Sequence, residues 1–235
     1  MKVTLMSYTP EPERLIAGAA RLCYSADKID DLFDSIKEPG SFVERLMDMH
    51  HESPIEHCTF TFGIEGVSRA LLAQITRHRI ASFSVKSQRY VNEAGLEYIT
   101  PPQISNDPRA LEIYTETMDI LKNNYAELSD ILRGNLVDAG VAPSAAEKQA
   151  IEDARFVLPN ACETKMIMTM NARSLLNFFR LRCCERAQWE IRALADKMLC
   201  LVTEVAPTLF KNAGAPCVSG RCPEGEKSCG RVKRR

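Results

Sequence analysis

One stretch of the chain alternates apolar and polar residues with period two and runs straight into a helical stretch. In TFTFGIE (59–65), Phe60, Phe62 and Ile64 alternate with Thr59, Thr61 and Gly63, the spacing of a strand with one buried face. Ser68 follows as an N-cap for a helix through Ala70, Leu71, Ala73, Gln74 and Ile75. TKMIMTM (164–170) reads as another strand. Asn171 is the natural N-cap of the run ARSLLNFFRLRCCERAQWEIRALADKMLCLV, taken as a single helix and the longest element. So few strand residues among so many helical runs predict an α+β fold in a single domain. Its sheet is small and mostly antiparallel, flanked by several long helices.

Other segments fill in that frame. Leu15, Ala19 and Leu22 recur at helical spacing within 11–24, and Phe42, Leu46 and Met49 do so within 41–50, with Pro39-Gly40 in front as a turn. Residues 108–137 form a long amphipathic pattern. Ser144 and Glu147 make a capping box for a helix that stops before Pro159. The serine-rich stretch after Arg79 reads as a loop. No repeat or linker divides the chain, although a cysteine-containing tail (215–235) is set off from residues 1–214.

The balance of 30 Lys+Arg against 31 Asp+Glu leaves a net charge of −1, so no global basic field exists to hold nucleic acid or an anionic membrane. No apolar run approaches a bilayer span, and the N-terminus turns charged before a signal-peptide core forms. Nine cysteines, with Cys183 and Cys184 adjacent, suit free thiols in a reducing compartment better than a disulfide framework. The expectation is a cytoplasmic protein.

That near-neutral total hides two windows without a single acid. Between Glu65 and Glu93 lie Arg69, Arg77, Arg79, Lys86 and Arg89, with His78 beside them. Between Glu163 and Glu185 lie Lys165, Arg173, Arg180 and Arg182. Either an external anion supplies the countercharge, or carboxylates distant in sequence do. In RHRIASFSVKSQRY, guanidinium forks that match phosphate oxygens bidentately stand near serine hydroxyls and loop N–H groups of the kind that form anion nests. Neither G-x-G-x-x-G nor a Walker pattern occurs, so any nucleotide is held in another way. On the helix beginning at Asn171, Arg173, Asn177 and Arg180 share a face, while Asn171 and Arg182 fall near the opposite one. Two ligands, a ligand and a neighbouring subunit, or a buried hydrogen-bond network would each account for polar groups on both sides.

RHRIASFSVKSQRY resembles the signature of the flavin-dependent thymidylate synthases: R-H-R, seven residues, then Ser, continuing to R-Y. HESPIEH (51–57), ARFVLP (154–159) and NARSLLNFFRLR…AQWEI (171–191) resemble further blocks of that family, in its order. The resemblance implies reductive methylation of dUMP to dTMP, with methylenetetrahydrofolate as carbon donor, NADPH as reductant and FAD as hydride relay. It also implies a homotetramer whose active sites draw on more than one subunit.

Carried over by position, Ser53, Arg77, His78, Arg79, Asn171, Ala172, Arg173 and Asn177 are expected at FAD, with His51 and Glu56 close by. Gln74, Arg77, Val85, Lys86, Ser87, Gln88, Arg89, Arg155 and Arg182 are expected at dUMP. Arg182 is the group the family uses to polarise the uracil ring, without an enzyme nucleophile. Where the family commonly carries Asn-Glu, this chain has Ser84-Val85, so contact at Val85 falls to the backbone, and Lys86 adds a cation. No His/Asp pair is placed by the sequence to activate Ser87, which therefore reads as a hydrogen-bonding group. Pro216-Cys217 is followed by Val218, not the His of the cysteine-dependent synthases.

In the tail, Cys217, Cys222 and Cys229 suggest a metal knuckle. They are three, without the paired C-x2-4-C spacing, and His50, His51, His57 and His78 all lie far upstream. No metal is expected; a flexible or subunit-docking tail is the alternative. The basic end RVKRR reads as solvated.

Overall fold

A computed structural model describes residues 1–218 and 220–230; RVKRR lies outside the described residues. The elements, in order, begin with strand β1 (Lys2–Tyr8), helices α1 (Pro12–Leu22), α2 (Ile29–Asp34) and α3 (Pro39–Asp48), and strand β2 (Thr59–Ser68). Helix α4 (Arg69–Ile75), strand β3 (Ser82–Val85) and helices α5 (Pro102–Ser105), α6 (Pro108–Asp138) and α7 (Pro143–Ala154) follow. Strand β4 (Glu163–Asn171) leads into helices α8 (Ala172–Arg182) and α9 (Trp189–Val205).

The four strands form one sheet in the order β1-β2-β4-β3. β1 pairs antiparallel with β2 from Lys2 opposite Glu65 to Tyr8 opposite Phe60, with an irregularity between Leu5 and Ser7. The fold is α+β, a small antiparallel sheet among helices. Among the described residues, no helix is long and apolar enough to cross a membrane.

Backbone contacts resolve two compact units, each assembled from separated stretches. The first comprises Met1–Glu65, Gln74–Ser84 and Ile167–Arg235; the second comprises Gly66–Ala73 and Val85–Met166. In the first, the apolar members of the alternating strand, Phe60, Phe62 and Ile64, are fully buried, as are Ile16, Leu175, Phe178, Leu194 and Met198. Edge-to-face rings run Phe178–Phe179–Phe210–Phe60, with centroids 5.8, 6.0 and 5.5 Å apart. Each such pair adds about 1 kcal/mol beyond the area it buries.

In the second unit, Asp107 caps α6 by accepting the N–H of Ala110 at 2.9 Å. Gly140, at φ +89°, ends the helix in the left-handed conformation that glycine takes without steric cost. α6 then packs against α7 around Met118, Tyr125, Ala146, Ala150 and Ile151.

Several local expectations are corrected. The run after Asn171 is two helices, because the Gln188 side chain accepts the N–H groups of Glu190 (3.0 Å) and Ile191 (3.2 Å) and so starts α9 afresh. The longest element is α6, with 31 residues. α7 starts at Pro143, with Ala142 as an N-cap that has no side-chain bond, which leaves Ser144 inside the first turn and no capping box. Pro39 likewise opens α3 and is not a turn before it; a ring that fixes φ and lacks an N–H suits the first helical position. The serine-rich stretch holds a strand, since Ser82, Phe83, Ser84 and Val85 alternate exposed and half-buried. Strand β1, α2 and α5 had not been anticipated.

Candidate active site

Strand β4 delivers Asn171 to the start of α8, where its Oδ1 accepts the Ser174 N–H at 2.8 Å and caps the helix as expected. The next N–H, of Ala172, goes to the Cys58 carbonyl at 2.8 Å, which ties the helix start to the segment behind the turn Pro54–His57. The R-H-R triplet follows α4, with the His78 N–H on the Ile75 carbonyl. These pieces enclose a cleft of about 650 Å³ within the first unit. Its walls carry Arg77, His78 and Arg79 on one side; Asn171, Arg173, Asn177 and Arg182 on the other; and Glu56, Ile80, Ser174 and Leu181 between. That volume lies within the range of small-molecule and cofactor sites.

The cleft is strongly cationic. Among the described residues, Arg77, Arg79 and Arg182 enter no ion pair. Arg173 differs: its Nη1 donates to Glu56 at 2.5 Å and its Nε to Glu52 at 3.1 Å, and the bond to Glu56 foremost pushes its pKa up. Glu52 was missed by sequence reasoning although it stands in the quoted HESPIEH block. Arg180 Nη2 donates to Asn177 Oδ1 at 2.9 Å.

Arg182 had been placed opposite Arg173 on the helix, yet it reaches the same cleft from the last position of α8. There its Nε donates to His78 Nε2 at 3.3 Å. The His78 ring also stands edge-on to Phe178, with centroids 5.0 Å apart. Burial first, and the neighbouring guanidinium second, lower the His78 pKa from its ordinary 6.5.

Three residues expected near the cofactor do not line this cleft. Ser53 is exposed and precedes the turn that carries Glu56. His51 is exposed, and Ala172 is fully buried. Gln74, half-buried in the first unit, is also absent from the walls.

The remaining candidates belong to the second unit. Arg89 forms a two-pronged pair with Glu152, Nε to Oε1 at 2.8 Å and Nη2 to Oε2 at 3.1 Å. Arg155 Nε donates to the Glu152 carbonyl at 3.0 Å, so one residue gathers both arginines. Ser87 Oγ accepts the Arg89 N–H at 3.2 Å, and Gln88 is buried. The Lys86 ammonium sits on Glu93 at 3.1 Å and 3.7 Å from Glu163. For Arg89 and Arg173, carboxylates distant in sequence thus supply the countercharge; for Lys86, nearby Glu93 and distant Glu163 do.

A second cavity of the first unit, about 370 Å³, brings Cys184 together with Cys217, Cys222 and Cys229, and shares Leu181 and Arg182 with the cleft. All nine cysteines are free. Among the described residues, no three His, Cys, Asp or Glu side chains are grouped to hold a metal ion.

The family model described as "Thymidylate synthase complementing protein" matches residues 4–208. A Clostridium tetani protein named flavin-dependent thymidylate synthase is 52% identical over 99% of this chain and 94% of its own length. Proteins of the same name from Geobacter sulfurreducens and Nitratidesulfovibrio vulgaris are 48% and 44% identical, over 99% and 98% of this chain and 95% and 94% of theirs. With the matched region running through both the R-H-R triplet and the helix that faces it, the chain belongs to the flavin-dependent thymidylate synthase family of enzymes.

Proposed function

We propose that the protein converts dUMP to dTMP with methylenetetrahydrofolate as carbon donor, NADPH as reductant and FAD as cofactor, in a cytoplasmic homotetramer. The observation that carries this reading is the set of unpaired guanidinium groups in the cleft. Among the described residues, Arg77, Arg79 and Arg182 have no carboxylate partner, so the pyrophosphate of a dinucleotide would supply the missing countercharge. The donor chemistry therefore fits FAD. Arg77, His78, Arg79, Asn171, Arg173 and Asn177 would hold it, with Glu56 close by; Ser53, His51 and the Ala172 backbone remain candidates outside the cleft walls. When bound, the flavin supplies hydride transfer between the reductant and the one-carbon unit.

In the second unit, Ser87, Gln88, Arg89 and Arg155, with the Val85 backbone, would contact dUMP; in the first, Gln74, Arg77 and Arg182 are by the same resemblance the dUMP candidates. Arg182 would hold negative charge as it develops on the pyrimidine, an electrostatic role that requires no enzyme nucleophile. Its Nε is already directed to His78, and its remaining N–H groups stay available. The tail, residues 215–235, would lie outside the catalytic domain 1–214.

The test is the visible spectrum of the purified protein, followed by dUMP-dependent NADPH oxidation and dTMP formation. Arg182→Ala should lower dTMP formation by about a hundredfold or more while flavin absorbance is retained. A colourless wild-type protein that takes up no added FAD would refute the reading.

A further inference from the structure

The segment from Lys86 to Glu93 leaves β3 and returns beside α6, and its two ends are held together by one ion pair. The Lys86 Nζ lies 3.1 Å from both Glu93 oxygens, of which Oε2 accepts its hydrogen bond and Oε1 is left without one. Glu163 stands 3.7 Å away on the other side, itself fixed by accepting the Gly66 N–H at 2.9 Å. The pair is well removed from water: the Lys86 side chain is 17% exposed and that of Glu93 7%. Backbone bonds hold both ends as well. Lys86 donates its N–H to Lys165, Arg69 Nη1 donates to the Lys86 carbonyl, and the Glu93 N–H goes to the Tyr125 hydroxyl. Between these ends lie Ser87, Gln88 and Arg89.

We infer that Lys86 is a positioning residue, not a ligand: its ion pair with Glu93 staples the base of the 87–92 loop and so holds Ser87, Gln88 and Arg89 in the geometry that receives dUMP. This rests on the dUMP reading of that loop. The physical reason is entropic. Closing the loop at its base removes much of its conformational freedom before substrate arrives, which lowers the cost of binding. A lysine with two half-buried or buried carboxylates around it has no charge to spare for a phosphate.

The two roles predict opposite effects of Glu93→Gln. A staple loses its anchor, so the KM for dUMP should rise between about tenfold and about a hundredfold, with kcat changed less and flavin absorbance kept. A direct phosphate ligand would be freed, so KM would stay or fall. Lys86→Met should behave as Glu93→Gln does, Lys86→Arg should recover most of the loss, and the double variant K86M/E93Q avoids a stranded buried charge if K86M does not fold.

Hydrogen exchange on the ligand-free protein gives an arm independent of turnover: amides of residues 87–92 should exchange about tenfold or more faster in E93Q, with those of α9 unchanged. If wild-type protein makes no dTMP, the functional reading fails and exchange alone decides the staple. Unchanged exchange in E93Q, or a KM that stays or falls, overturns the staple.

Discussion

Arg182 Nε donates to His78 Nε2 across 3.3 Å. A guanidinium offers no lone pair, so the imidazole nitrogen must accept, and the proton of the neutral ring is on Nδ1. Protonating His78 would remove that acceptor and set two cations against each other. Burial and Arg182 both lower the His78 pKa, which keeps the ring neutral under ordinary conditions. The folded state therefore binds this proton less readily than the unfolded chain. The related stability is fully present above the unfolded value of 6.5 and is lost as pH falls towards the lowered folded value. Turnover should show an acid limb below that unfolded value. His78→Gln, which keeps an acceptor without titrating, should flatten it. A pH profile of kcat/KM from about pH 5 to about pH 8 checks this; an unchanged limb in the variant would assign it elsewhere.

Arg173 is held between Glu52 and Glu56, so an arriving anion competes with carboxylates for it. Both acids are substantially exposed, and an exposed pair of this kind moves affinity by a factor of up to about five. Glu56→Gln should tighten binding of an anionic ligand in the cleft by that much, measured by titrating apo-protein with FAD. Weaker binding would mean that the carboxylate itself holds the ligand.

The strands β2 and β4, their helix starts at Ser68 and Asn171, and α6 were legible because each is announced locally, by a strand-like run, a side-chain cap or a long amphipathic period. Ser68 Oγ accepts the Leu71 N–H at 3.0 Å even though Ser68 itself closes the strand. The break at residues 183–188 was hidden because Gln188 is an uncommon cap, and β3 because four alternating residues are too few to outweigh three serines. The cationic cleft was legible as charge imbalance. Which cations were already neutralised was not, because Glu52 and Glu56 reach Arg173, Glu152 reaches Arg89 and Glu163 reaches Lys86 only through the fold.

Gly18 lies in α1 against the ring of Phe33. A Cβ added there would stand 2.2 Å from the ring's Cζ. The Phe33 backbone is held by Arg14, whose Nη2 donates to its carbonyl at 3.2 Å, so the ring alone must swing out and lose its packing. Alanine's better helix propensity returns about 1 kcal/mol against an overpacking cost of about 1–3 kcal/mol. Gly18→Ala should therefore lower stability by about 1 kcal/mol, read as a reduced urea midpoint at unchanged m-value.

The thiols differ by burial, and this gives a test independent of any ligand. Cys58 and Cys162 are fully buried, and burial pushes each up to about 11, leaving little thiolate at neutral or mildly alkaline pH. Cys58 is further occupied, its Sγ donating to the Pro12 carbonyl at 3.3 Å. Cys23, Cys200 and Cys229 are exposed. Under native conditions a maleimide should label those three first and leave Cys58 and Cys162 unmodified until the chain unfolds, as peptide mapping after timed quenching would show. Early labelling of Cys58 would mean that the segment joining α1 to β2 opens far more readily than its packing implies.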